Sequence, residues 1–60
     1  MENNVFIGKK TVAQMVALSD STIYRLERRG DFPKRVQLSP NRVAWVKQDV
    51  IDWIKDRQNA

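Results

Sequence analysis

The chain has 60 residues, eleven Lys plus Arg against seven Asp plus Glu, a net charge of +4, and neither cysteine nor histidine. A domain of this size hides only about 60% of the surface its unfolded chain exposes, so its core is small and has no room for a deep reaction pocket. With no thiol, no imidazole and an excess of cations, enzymes and metal- or cofactor-dependent chemistry are set aside, and the expected class is a binding protein with an anionic partner, nucleic acid first.

The N-terminal MENNVFIGKK lacks the basic start and apolar middle of a secretion signal. No apolar run approaches the ~18 residues that span a bilayer. A cytoplasmic protein is expected, nucleoid-associated when bound to DNA. Residues 1–5 are polar and read as loose, and Phe6 and Ile7 can dock a short strand or turn. From Lys9 to Ala17 the apolar spacing is helical, with Val12 and Val16 four apart and Ala13 beside them. Ser19 is a good N-cap for a second helix, Asp20–Arg29, with Ile23 and Leu26 inward. Arg28 and Arg29 suit its negative end and Gly30 its C′ position.

Asp31-Phe32-Pro33 reads as a turn anchored by Phe32. Val36-Gln37-Leu38 and Val43-Ala44-Trp45 alternate across Ser39-Pro40-Asn41-Arg42, which predicts a β-hairpin with Val36, Leu38, Val43 and Trp45 on one inner face. A last helix is predicted from Lys47 to Arg57, with Val50, Ile51, Trp53 and Ile54 inward and a frayed end beyond. Trp45 and Trp53 fall on apolar stripes and read as core. The order is helix, helix, hairpin, helix in one α+β domain spanning residues 1–60.

Two short helices joined by Ala17-Leu18-Ser19 must cross at a large angle. Ala13 is small where the second helix passes, Leu18 sits in the turn, and Ile23 and Leu26 fill the wedge, which is helix-turn-helix spacing. The turn commonly contains glycine; Ala17 takes that place and makes the bend less comfortable. With Ile23 and Leu26 inside, Ser21, Thr22, Tyr24, Arg25 and Arg28 are left outside. Such a helix fits the major groove of B-DNA. There Ser21 and Thr22 bond base edges or phosphates, and Arg25 offers two donors to a guanine. Tyr24 either places its hydroxyl on a phosphate or packs its ring at the core edge. Arg28 and Arg29 reach the backbone, although Arg29 also reads as a helix-end charge. Asp20 either serves the helix end or accepts from a cytosine amine.

Charge is distributed in the same sense. Residues 47–60 hold three basic and three acidic side chains, whereas residues 1–46 hold eight and four. Arg28, Arg29, Lys34, Arg35 and Arg42 run from the end of the second helix to the hairpin tip. As a wing, that hairpin would put Arg42 into a narrow minor groove and Lys34 and Arg35 on phosphates.

The run VAQMVALSDSTIYRLERRGDFPKRVQLSPNRVAWVKQDVIDWI resembles the AlpA family of small phage and mobile-element regulators, through LSDSTIYRL, GDFPKRV and VAWVKQDVIDWI. That family is similar to the excisionases and to MerR-like winged-helix domains. The resemblance implies a winged helix-turn-helix acting as a transcriptional regulator, or as a recombination directionality factor that bends DNA and steers an integrase toward excision. It carries DNA contact onto Ser21, Thr22, Tyr24, Arg25, Arg35 and Arg42. Many relatives have a basic residue before STIYR, where this chain has Asp20. Few base contacts fit on so small a domain, so several copies or a partner protein on the DNA are expected. The competing reading is a protein-interaction module that docks on a regulator or integrase through Asp49, Asp52 and Asp56.

Overall fold

Residues 5–59 are described by the structure, a computed structural model. The loose start predicted for residues 1–5 therefore lies, Val5 apart, outside the described residues, as does Ala60. In chain order the elements are β1 (Phe6–Ile7), α1 (Lys9–Val16), α2 (Asp20–Arg28), β2 (Val36–Ser39), β3 (Arg42–Val46) and α3 (Lys47–Gln58). The strands form an antiparallel sheet in the order β1-β3-β2. This is a small α+β fold with the layout of a winged helix-turn-helix, β2 and β3 being the wing. α3 continues through Gln58, one residue past its predicted end.

The α1–α2 bend is made as its sequence demands. Ala17 adopts φ 59, ψ 37, the left-handed conformation, and its N–H donates to the Ala13 carbonyl at 2.8 Å. An L-residue pays ~1–2 kcal/mol for that conformation. Ala17→Gly is therefore expected to raise stability by about 0.5–1 kcal/mol, since glycine's greater freedom in the unfolded chain removes part of the gain. Urea unfolding checks this, and a destabilised variant would contradict it. Two residues on, the Thr22 N–H donates to Ser19 Oγ at 3.2 Å, which caps α2. At the other end Gly30 has φ 81, its N–H donates to the Glu27 carbonyl and the Asp31 N–H to the Leu26 carbonyl. These two bonds make a Schellman motif.

Val12, Ile23, Phe32, Trp45 and Val50 form the core, with Ile7, Ala13, Leu18, Leu26, Trp53 and Ile54 packed against it. The two tryptophans tie down the connection between α2 and the wing. Trp45 Nε1 donates to the Pro33 carbonyl at 3.0 Å and Trp53 Nε1 to the Asp31 carbonyl at 2.6 Å. Phe32 lies edge-on to both rings, 6.5 Å from Trp45 and 4.8 Å from Trp53.

The predicted inner face of the hairpin does not form. Val36 pairs with Ala44 and Gln37 with Val43, and the register then shifts so that Ser39 pairs with Arg42. Val43 and Trp45 share one face of β3, but Val36 and Leu38 take the other face and are 37% and 49% exposed. The cause is the turn. Pro40 and Asn41 alone connect the strands, with no positive φ at Asn41, so the primed turns that suit a two-residue hairpin are not used. A bulge at Leu38 absorbs the mismatch, and a one-residue slip exchanges the faces.

Candidate nucleic-acid interface

α2 presents Ser21, Tyr24, Arg25 and Arg28 at positions i, i+3, i+4 and i+7, and all four are exposed. Thr22 is half-buried. Its hydroxyl accepts from Ser19 Oγ at 3.0 Å and from Arg25 Nη2 at 3.5 Å, so the cap and the arginine share one hydroxyl. Tyr24 turns outward, 49% exposed, with the guanidinium groups of Arg28 and Arg35 each 5.7 Å from its ring centre. Arg28 Nη1 donates to its hydroxyl at 3.5 Å. Asp20 occupies the first turn of α2, where its charge suits the helix end.

Three adjoining concavities connect this helix to the wing. Tyr24, Glu27, Arg28, Lys34 and Arg35 line the first. Lys9, Asp20, Ser21, Tyr24, Arg35 and Trp45 share the second. Lys9, Arg35, Pro40, Asn41 and Arg42 meet in the third. Arg35 belongs to all three, so a continuous basic surface runs from Arg28 and Lys34 to the wing tip at Arg42. Arg29 departs from this surface: its guanidinium pairs with Asp31 at 3.2 Å. Asp31 in turn lines a separate concavity with Asp49, Asp52, Asp56 and Trp53, which shares no residue with the basic one.

Two charged residues of this surface escaped the sequence reading. Lys9 lines two of the concavities; its signal was a Lys-Lys pair at the start of α1, where the helix dipole disfavours cations and no acidic residue offsets them. Glu27 pairs with Arg35, eight positions away, and periodicity along one helix cannot reveal that partner. Burial pushes the Glu27 carboxyl up. Hydrogen bonds from the Arg35 side chain and backbone, with the charges of Arg35 and Lys34, outweigh it and leave the carboxyl below its ordinary value of 4.5. A lowered pKa adds stability that is complete above the unfolded-state value and is lost as the pH falls from there through the folded one. The urea midpoint is therefore expected to drop on acidification below that point, and Glu27→Gln should remove part of the drop.

Among the described residues no group of carboxylates could hold a metal ion, and no helix is long and apolar enough to cross a membrane. Residues 6–58 match the family model described as prophage CP4-57 regulatory protein (AlpA). The chain belongs to the AlpA family. It is also 40% identical over 52 residues to the uncharacterized protein ORF88 of enterobacteria phage P4, a match covering 87% of this chain and 59% of that protein. The chain thus spans about three-fifths of the length of this relative. The family description is that of a regulatory protein.

Proposed function

We propose that residues 1–60 act as one winged helix-turn-helix domain, a site-specific double-stranded DNA-binding regulator of a prophage or genomic island. It serves as an excisionase, a transcriptional regulator, or both, in the cytoplasm and at the nucleoid. The observation that carries this reading is the continuous basic surface joining the exposed stripe of α2 to the wing tip, with the α3 carboxylates gathered elsewhere. The N-terminal half of α2 enters the major groove, with Ser21, Thr22 and Arg25 nearest the base edges. Tyr24, Arg28 and Lys34 sit along phosphates, and Arg29 joins them only by exchanging Asp31 for a phosphate. Arg35, expected on a phosphate, is instead held by Glu27 and adds its field to the surface between helix and wing, and Arg42 enters the minor groove. No cofactor is needed.

One copy makes few base contacts, so copies bind cooperatively to adjacent sites or beside an integrase. Footprinting on the DNA that flanks the chain's own gene tests the reading. Protection at an attachment site assigns excision, protection at a promoter assigns regulation, and no protected site overturns both. The concavity lined by Asp31, Asp49, Asp52 and Asp56 around Trp53 favours a second reading, an interaction module that inhibits a regulator or integrase. If Arg25→Ala and Arg42→Ala abolish the DNA shift but leave function intact, that reading replaces the first.

A further inference from the structure

The inner strand of the wing, β3, places Ala44 and Trp45 in the core, but the outer strand has no such anchor. Every residue of β2, Val36–Ser39, is exposed. Immediately before it stands the Glu27–Arg35 pair. The Glu27 carboxylate accepts the Arg35 backbone N–H at 2.7 Å and its Nε at 2.9 Å, and Arg35 Nη2 lies 2.7 Å from Oε1. The two side chains are only 11% and 27% exposed. The guanidinium lies 5.0 Å from the ring centre of Trp45, on the strand that begins at Arg42. One carboxylate therefore joins the helix that presents Arg25 to the hairpin that presents Arg42. A pair of this kind is a poor way to gain stability, because desolvation offsets most of its attraction. What it supplies is direction: a planar fork bound on two donors, plus a backbone bond, fixes an angle as well as a distance.

We propose that Glu27 is a positioning residue, which locks the wing against α2 so that Arg42 and Arg25 meet one duplex as a preset pair without Glu27 touching the DNA. The proposal rests on the DNA-binding reading, and its test separates the two. Affinity for a fluorescein-labelled mixed-sequence duplex is measured by anisotropy for the full chain, Arg42→Ala, Arg25→Ala, Glu27→Gln and the two double variants. Amide hydrogen exchange is followed on the same proteins without DNA.

With the wing locked, Arg42→Ala weakens binding about tenfold; with the lock loosened by Glu27→Gln, it weakens binding no more than about threefold, because a loose wing already contributes little. Arg25→Ala costs the same factor in both backgrounds. In the free protein, Glu27→Gln speeds exchange across residues 36–43 about tenfold or more and leaves α1 and α3 unchanged. A merely structural loss would speed exchange evenly and leave the Arg42 factor untouched, and either result overturns the proposal. If Glu27→Gln keeps enough of the hydrogen bonding to behave as the parent, Glu27→Ala must show the pattern, and its failure is equally decisive. Should the parent chain not bind the duplex, the DNA reading falls while the exchange data still decide whether Glu27 holds the wing.

Discussion

Replacing Arg25 by alanine is expected to weaken binding to the chain's own site by about 10- to 100-fold and to relax the preference for one base pair in it. Arg25 is exposed one turn into α2, and its Nη2 reaches back to the Thr22 hydroxyl at 3.5 Å, so the side chain leans toward the N-terminal turn that enters the groove first. A guanidinium there reaches guanine O6 and N7 with two parallel donors, worth ~1–3 kcal/mol of discrimination. A residue that only met phosphates would behave otherwise. Arg28→Ala is expected to weaken binding to all sequences alike and to reduce the log–log salt slope by roughly one. Competition of labelled site DNA against single-base variants, at two salt concentrations, separates the two behaviours. A uniform loss in Arg25→Ala, with the base preference unchanged, would place it on the backbone.

Trp45→Ala is expected to remove a large part of the chain's stability. Trp45 is 1% exposed, touches Phe32 edge-on, and bonds the Pro33 carbonyl through Nε1. Removing a buried tryptophan costs ~3–5 kcal/mol, against a total stability of roughly 3–9 kcal/mol for a chain of this length at typical values per residue. Trp45→Phe should stay folded but lose about 2 kcal/mol, from the missing hydrogen bond and the smaller ring. Leu38→Ser is the useful contrast. Leu38 is 49% exposed on the other face, so its loss should cost no more than about 0.5 kcal/mol. Far-UV circular dichroism in urea measures all three. A Leu38→Ser cost as large as that of Trp45→Phe would show the hairpin faces to be the reverse of those described.

These two hairpin residues also mark how far the sequence could be read. The element order was legible because strong local signals punctuate it: the Ser19 cap, the Gly30 exit and the Pro40-Asn41 break. The helix-turn-helix was legible because Ala13, Leu18, Ile23 and Leu26 sit at fixed offsets along one local stretch, and Ala17 was recognisable as the residue under backbone strain. The hairpin register was not legible. Both strands alternate, and alternation alone does not say which parity of one strand faces which of the other. The choice lay in a two-residue turn and one bulge.

Ser21, Arg25 and Arg28 point outward as the inward Ile23 and Leu26 require, whereas Thr22, expected outside, is half-buried and Tyr24, whose side the pattern left open, turns out. The pairing of Arg35 was hidden for a different reason. Its partner Glu27 is close only because Gly30 reverses the chain and Trp45 and Trp53 hold the turn that follows. Which cations stay free and which are matched depends on that long-range geometry, and composition cannot show it.

Titrating the isotope-labelled chain with a duplex that carries its footprinted site, and following backbone amide shifts by NMR, is the most direct trial of the interface. The largest changes should fall on Ser21, Thr22, Arg25 and Arg28 of α2 and on Asn41 and Arg42 of the wing tip, with Asp49, Asp52 and Asp56 of α3 nearly still. Changes centred on α3, with the wing and the outer stripe of α2 unmoved, would contradict the account.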